Sequence, residues 1–158
     1  MDEFRMRGEG MPLGRLRKIK KGLRKLHTLE LMAQTIYKCQ IVGDDSELNR
    51  YLIVAMCNEM THYQDFQVKL CEYGWRPSCL RWMYWIVGFF FGFFSKIFGT
   101  KMMLRTGIWT ETLAVKGYGE LLEKIDWDDE TRKIIEGNWS DEKGHVAQWK
   151  NLLQAYKR

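Results

Sequence analysis

The motif Glu-Met-Thr-His at residues 59–62 has a counterpart in Glu-Lys-Gly-His at residues 142–145. In an α-helix, residues three apart lie on the same face, so each motif presents a carboxylate and an imidazole together. Two such pairs on different helices are the ligand pattern of a di-metal centre inside a four-helix bundle. A single Glu-x-x-His motif is more often a solvated pair, so the interpretation depends on the remaining helices.

Glu30 fits the third position of such a centre. It lies 13 residues before the predicted turn at residues 43–46, and Glu59 lies 13 residues after that turn. In an antiparallel hairpin the two side chains are therefore level, roughly 20 Å from the turn at 1.5 Å per residue. Apolar or small residues surround Glu30, and a carboxylate there is costly to bury without a metal or counter-ion. Taken alone, Glu30 would more often be an exposed residue or a partner of His27.

The second hairpin repeats this arrangement. Glu111 lies 14 residues before Ile125, and Glu142 lies 13 residues after Asp129. Each hairpin thus has one lone glutamate level with one Glu-x-x-His motif, which predicts a single buried di-metal site. Four carboxylates would neutralise two divalent ions, and iron and manganese both accept this ligand type. The six predicted ligands are Glu30, Glu59, His62, Glu111, Glu142 and His145.

The length of 158 residues suits one domain, and the presence of only two prolines favours long helices. No long segment alternates with period two, so the expected class is all-α. It would be a four-helix bundle whose long crossover contains an additional apolar helix. We divide the chain into a basic amphipathic N-terminal extension (residues 1–22) and the bundle (residues 23–158). Apolar residues at steps of three and four predict the bundle helices at about residues 13–42, 46–73, 101–125 and 129–156.

Positive charge is concentrated at the N-terminus. Residues 1–26 contain nine Lys or Arg and three Asp or Glu, whereas the rest contains 16 basic and 17 acidic residues. A nucleic-acid-binding surface across the domain is therefore not expected. The basic residues share one face of the first helix, which fits attraction to an anionic membrane. A solvated face is the alternative.

The crossover contains an unusually aromatic segment at residues 79–98. Its uncharged run from Trp82 to Ser95 has 14 residues, whereas a spanning helix needs about 20. We therefore predict a shallow interfacial membrane helix flanked by cations, with a buried crossover helix as the alternative. The predicted membrane contacts are Trp82, Trp85, Phe89, Phe90, Phe91, Phe93 and Phe94.

Together these residues resemble the di-iron demethoxyubiquinone monooxygenases, a branch of the ferritin-like superfamily. The resemblance covers about residues 23–153 and is carried by the six predicted ligands, by Arg76-Pro77 ahead of the apolar run, and by Tyr118, seven residues after Glu111. It implies a ferritin-like bundle that holds two iron ions on those ligands and uses dioxygen to hydroxylate a prenylated quinone at a membrane surface. It also implies that Tyr118 lies near the quinone.

The expected partners follow from that resemblance. They are a lipophilic quinone, a membrane surface and an electron donor, either NADH or a reductase. The expected location is peripheral, on the cytoplasmic face of the inner (cell) membrane, and assembly through the apolar segment could give a homodimer. Two other classes stay open: a ferritin-like di-iron oxidase or peroxidase, and a non-enzymatic, membrane-attached metal-binding protein. Iron storage by a cage is a further class, which the apolar segment disfavours. Rubrerythrin-type peroxidases usually add a rubredoxin-like cysteine site, and this sequence has no C-x-x-C pair.

Overall fold

The computed structural model describes residues 6–156, and these fold into five α-helices without a strand. The predicted all-α class and helical bundle are confirmed. Residues 1–5 of the predicted extension lie outside the described residues, and its residues 13–22 form the first turns of the first bundle helix. The helices are α1 (Leu13–Gln40), α2 (Glu47–Glu72), α3 (Arg81–Ile97), α4 (Thr100–Lys124) and α5 (Asp129–Tyr156).

Local signals set both ends of α2. The side chain of Ser46 caps its N-terminus, since Oγ accepts a 3.1 Å hydrogen bond from the backbone N–H of Asn49. At the other end Gly74 adopts φ +68°, a left-handed conformation that favours glycine and ends the helix. The length of α2, and so the height of its metal-ligand motif above the turn, is therefore determined locally.

The four long helices form two antiparallel hairpins, α1–α2 and α4–α5, which meet through α1–α4 and α2–α5 contacts. Within the described residues, two apolar clusters fill opposite ends of the interior. One is centred on Leu23, Phe66 and Ile135, and the other on Ile36 and Trp149. Every long helix contributes to both clusters, and the predicted metal ligands occupy the layer between them.

Helix α3 connects the hairpins along the outside of the bundle, mainly against α1. Its buried residues are the small ones, Gly88, Gly92 and Ser95. A Cβ atom added to Gly88 would lie 2.7 Å from the carbonyl oxygen of Met32, so the two backbones approach closely because a side chain is missing. The alternative of a buried crossover helix is therefore wrong for the seven predicted membrane-contact residues, whereas Tyr84 packs against the apolar cluster around Ile36.

The outward face of α3 is apolar and uncovered. Its seven predicted membrane-contact residues are between 38% and 58% exposed. Phe91 stacks on Trp109 with ring centroids 5.1 Å apart, so the exposed apolar surface continues onto α4. Among residues 6–156, none of the helices combines the length and the apolar character needed to cross a bilayer.

Candidate metal centre

The six predicted ligands converge in the layer between the apolar clusters. One group of atoms able to ligate a metal comes from Glu30, Glu59, His62 and Glu142, and a second comes from Glu59, Glu111, Glu142 and His145. Within each group the ligand atoms lie within 4.8 Å of one another. Glu59 and Glu142 belong to both groups, so these two carboxylates can bridge a pair of ions.

His62 turns Nδ1 toward the first group. That atom lies 3.0 Å from Oε1 of Glu142 and 3.6 Å from Oε2 of Glu59. Oε2 of Glu30 lies 4.0 Å away on the opposite helix. All four side chains are buried, so a cation in this group would be surrounded by protein ligands.

His145 directs its Nδ1 toward the second group. Its Nδ1 lies 3.2 Å from Oε1 of Glu59 and 3.5 Å from Oε1 of Glu111. The rings of His62 and His145 have centroids 6.5 Å apart and an interplanar angle of 30°. The two groups are thus adjacent, each with one imidazole, one glutamate of its own and two shared glutamates.

The unpaired atoms of the cluster fit a metal. Within the described residues, seven nitrogen and oxygen atoms of the ligand side chains are buried without a well-directed hydrogen bond. Buried polar atoms without partners are costly, and cations would satisfy them together. Carboxylate and imidazole donors in this number suit two divalent transition-metal ions. The atoms in question are Glu59 Oε1 and Oε2, His62 Nδ1, Glu111 Oε2, Glu142 Oε1 and Oε2, and His145 Nδ1.

The charges of the cluster lead to the same conclusion. Burial raises the pKa of Glu142 well above its usual value, and the charges of Glu59 and Glu111 add to this effect. Burial by itself would lower the pKa of His145, but hydrogen bonds and charge interactions with Glu111 and Glu59 raise it to about 10. Without metal, protons therefore compensate the crowded carboxylates, and divalent cations would displace those protons.

Two tyrosines connect the hairpins at the outer glutamates. The hydroxyl of Tyr118 in α4 donates to Oε1 of Glu30 in α1, at 2.5 Å. In reciprocal fashion, the hydroxyl of Tyr37 in α1 donates to Oε1 of Glu111 in α4. The role of Tyr37 was not predicted from the sequence. The signal that could have revealed it is that each tyrosine follows a ligand glutamate by seven residues, two helical turns along the same face.

Two further side chains contact the ligands, and neither was predicted to do so. Nε1 of Trp149 lies 3.4 Å from Oε1 of Glu111, as a second donor to that carboxylate. Oδ2 of Asp141 lies 3.3 Å from Nε2 of His62, the ring nitrogen that faces away from the cluster. A carboxylate on the outer nitrogen fixes the tautomer and orientation of a ligating histidine.

The alternative that Glu30 is exposed or pairs with His27 is wrong. The residue is 1% exposed, and His27 pairs with Gln67 instead, with Nε2 and Oε1 3.1 Å apart. Tyr118 is fully buried next to the cluster. Its predicted contact with a quinone stays a prediction.

Comparison with known proteins agrees with this architecture. The chain is 28% identical over 127 residues to the 3-demethoxyubiquinol 3-hydroxylase of Polaromonas naphthalenivorans (strain CJ2), an alignment that covers 79% of this chain and 61% of the relative. It is also 28% identical over 131 residues to the protein of the same name from Polaromonas sp. strain JS666, covering 82% of this chain and 63% of that relative. The chain therefore spans a little over three fifths of the length of these curated relatives.

A protein-family comparison covers most of the bundle. The family described as ubiquinone biosynthesis protein COQ7 matches residues 17–148, a range that holds all six cluster residues and the whole of α3. The chain belongs to the COQ7 family.

Proposed function

We propose that this chain uses two iron ions to hydroxylate the ring of a prenylated quinol with dioxygen at a membrane surface. The observation that carries the proposal is the pair of buried ligand groups sharing Glu59 and Glu142. The relatives' name, 3-demethoxyubiquinol 3-hydroxylase, supplies the reaction class, and membership of the COQ7 family supports it.

Two of the six proposed ligands would be shared by both ions, and the other four would each bind one ion. Glu59 and Glu142 would serve both ions, while Glu30 with His62 would hold one ion and Glu111 with His145 the other. The chemistry that two iron ions supply, when bound, is the activation of dioxygen and the transfer of one oxygen atom to a ring carbon. Four carboxylates balance the four positive charges of two ferrous ions, which makes a nearly neutral cluster acceptable in the interior. Manganese would suit the same donors.

The surrounding residues orient the ligands and keep water away. Tyr118 holds Oε1 of Glu30 and leaves Oε2 free to face His62. Tyr37 holds Oε1 of Glu111, the oxygen that also lies 3.5 Å from Nδ1 of His145. The apolar clusters on both sides exclude bulk water, which limits loss of the activated oxygen to side reactions. Tyr118 is proposed to lie beside the quinone ring, since its side chain is buried one hydrogen bond away from Glu30.

The exposed face of α3 suits a substrate that resides in a membrane. A prenylated quinol partitions into lipid, so its enzyme must approach the bilayer. Helix α3 packs on α1 and α4, the two helices that carry Glu30 and Glu111, and directs its aromatic side chains outward. Shallow insertion of this face would place the metal-bearing bundle next to the lipid surface. A peripheral location on the cytoplasmic face of the inner (cell) membrane belongs to the same proposal, as does an electron donor, NADH or a reductase.

Turnover with an isotopic label tests the reaction. The iron-loaded protein, a chemical reductant and a short-chain demethoxyubiquinol would be incubated under labelled dioxygen, and the product followed by mass spectrometry. We expect a product heavier by one labelled oxygen atom. Glu111→Ala should abolish it, whereas Glu120→Ala, which changes a partly exposed glutamate on the same helix, should not.

Other outcomes would select the other classes. Rapid peroxide consumption without any labelled quinol product would favour a ferritin-like oxidase or peroxidase. Unchanged cellular function of Glu111→Ala despite loss of metal would favour a non-enzymatic role. Either result would overturn the hydroxylase proposal.

Vesicle flotation tests the membrane face. Phe90→Ser combined with Phe94→Ser should reduce binding to lipid vesicles. The matched control, Val54→Ser combined with Val68→Ser, removes two exposed apolar side chains from α2 and should bind as the wild type does. If the α3 variant loses concentration-dependent dimerisation and keeps vesicle binding, a second copy of the chain covers this face instead.

A further inference from the structure

A cationic cleft lies beside the start of α3. Its volume is about 530 Å³, and one wall is a face of α1 that carries five basic side chains. The opposite wall comes from the segment before α3 and from its first turn, and includes Leu80 and Tyr84. The five basic residues are Arg17, Lys20, Lys21, Arg24 and Lys25.

These cations form no direct ion pair with the described carboxylates, although the charge of Lys25 adds to the hydrogen bond from Lys124 in lowering the pKa of Glu120. No Asp or Glu oxygen of residues 6–156 lies within 4.0 Å of any of the five. By contrast Arg15, two residues earlier than the first of them, pairs with Asp126 at 3.0 Å. The five charges therefore remain available to an anion that is not part of the described chain.

Two of the five are held in place by neighbouring backbone and ring atoms. Nε and Nη2 of Arg24 donate to the carbonyl oxygen of Arg76 at 3.0 and 2.7 Å. Nζ of Lys20 lies 5.5 Å from the ring centroid of Trp75, a cation–π distance. Thr28 and Ser78 also line the cleft. The hydroxyl of Thr28 donates to backbone carbonyl oxygens of α1, whereas the hydroxyl of Ser78 accepts from the backbone N–H of Leu80 and can donate to a ligand. Fixed cations beside a hydroxyl donor are suited to oxygens of a phosphate group.

The position of the cleft favours a membrane lipid as the source of such a phosphate group. Trp82 and Trp85 lie in the first turns of α3, next to the cleft, and the phenylalanine-rich part follows from Phe89 onward. Trp is enriched at the headgroup level of membranes, whereas Phe suits the acyl region. A membrane in contact with α3 would therefore bring its headgroups to the cationic cleft.

We infer that this cleft is a binding site for the phosphodiester headgroup of an anionic phospholipid. Headgroup binding on α1, together with insertion of α3, would fix the orientation of the bundle on the bilayer. This inference rests on the membrane part of the proposed function and adds a specific lipid class and a specific set of residues to it.

Matched charge variants test the site. Arg17→Gln combined with Lys21→Gln removes two exposed cations from the cleft, whereas Lys133→Gln combined with Lys150→Gln removes two exposed cations from α5, which does not contact α3 in the described structure. Binding would be measured by flotation with phosphatidylcholine vesicles, with and without phosphatidylglycerol, at low and high salt.

We expect the cleft variant to bind phosphatidylglycerol vesicles about thirtyfold more weakly at low salt, from about 1 kcal/mol per cation and 1.4 kcal/mol per tenfold. The α5 variant has the same net charge as the cleft variant and should bind these vesicles as the wild type does. Neither variant should differ from the wild type in binding to phosphatidylcholine alone. Circular dichroism would verify that both variants are folded.

Three outcomes would overturn the inference. Equal losses in both variants would show that net charge rather than the cleft is responsible. Equal binding of the wild type to phosphatidylcholine and phosphatidylglycerol vesicles would contradict the headgroup site. It would still agree with insertion of the apolar face of α3. If no vesicle binds the wild type, the membrane part of the proposed function fails as well, while turnover of a soluble short-chain quinol still tests the hydroxylase.

Discussion

The hydroxyl of Tyr118 donates a 2.5 Å hydrogen bond to Oε1 of Glu30, across the contact between α4 and α1. Tyr37 and Glu111 make the same contact in the opposite direction. Each hairpin therefore orients the outer carboxylate of the other, and the carboxylate–histidine cluster has an approximate two-fold arrangement. The two outer glutamates differ in one respect, since Glu111 also lies near the indole N–H of Trp149.

Tyr118→Phe should weaken metal binding without unfolding the protein. Loss of the hydroxyl leaves Glu30 without its donor and free to rotate, and substitutions next to metal ligands typically cost about tenfold or more in affinity. Chelator competition followed by metal analysis measures the effect. Tyr63→Phe is the control, because Tyr63 is a partly buried tyrosine whose ring is tilted against His27 and whose hydroxyl makes no hydrogen bond to a cluster carboxylate in the described residues. Equal affinities of Tyr118→Phe and wild type would show that the hydroxyl does not position the ligand.

The shared and separate glutamates should differ in how many metal ions their loss removes. Glu59→Gln alters both ligand groups, so we expect it to lose both metals. Glu30→Gln alters only the group around His62, so the other metal should stay bound. Metal content after dialysis, compared with wild type under the same conditions, measures this difference. The same metal content in both variants would contradict the assignment of Glu59 as a bridge.

Glu142→Gln should stabilise the metal-free protein while abolishing metal binding. Burial raises the pKa of this carboxyl, so its contribution to stability is fully present below the unfolded-state pKa and is lost as the pH rises through the folded-state pKa. Metal-free wild type should therefore become less stable from acidic to neutral pH. The variant lacks this penalty and should be more stable at pH 7 by about 1–3 kcal/mol. Urea unfolding in the presence of a chelator measures both trends.

The control for that experiment is Glu136→Gln, which changes an exposed glutamate on the same helix. It should leave the stability of the metal-free protein and its pH dependence nearly unchanged. A metal-free Glu142→Gln protein that is less stable than wild type at pH 7 would contradict the view that the cluster stores unfavourable charge.

Replacing a glycine of α3 by alanine should change the stability of the protein differently from replacing a glycine that has open space around it. At Gly92 a Cβ atom would lie 2.6 Å from the carbonyl oxygen of Ile36 and 2.7 Å from Cβ of Cys39. Gly92→Ala should therefore push α3 away from α1 and destabilise the protein by about 1–3 kcal/mol. At Gly137 in α5 the added Cβ meets nothing within 4 Å, so Gly137→Ala should stabilise by roughly 0.5–1 kcal/mol.

Urea unfolding of the two glycine variants gives the comparison, and limited proteolysis around residues 78–100 reports release of α3. Opposite signs for the two substitutions are expected. A neutral or stabilising Gly92→Ala would show that the close contact between α1 and α3 is not needed for docking of the helix.

The sequence by itself determined the class of the fold and the six side chains of the candidate metal cluster. Helical spacing places Glu59 with His62, and Glu142 with His145, on common faces. The matched distances of Glu30 and Glu111 from their turns make the remaining carboxylates level with these motifs, because a helix rises by a constant length per residue. Both arguments use only local geometry, and the structure brings all six side chains together.

Only the tertiary structure decided which glutamates are shared, which tyrosines hold the outer ones and which face of α3 is uncovered. Tyr37 reaches Glu111 across 74 positions of sequence. Helical periodicity cannot reveal such a pairing, because it depends on how the two hairpins meet. The apolar run of α3 likewise suits a core or a lipid surface equally well in composition. Its outward orientation follows from the close approach of Gly88 and Gly92 to α1, where the absence of side chains lets two backbones touch and leaves the aromatic rings no place inside.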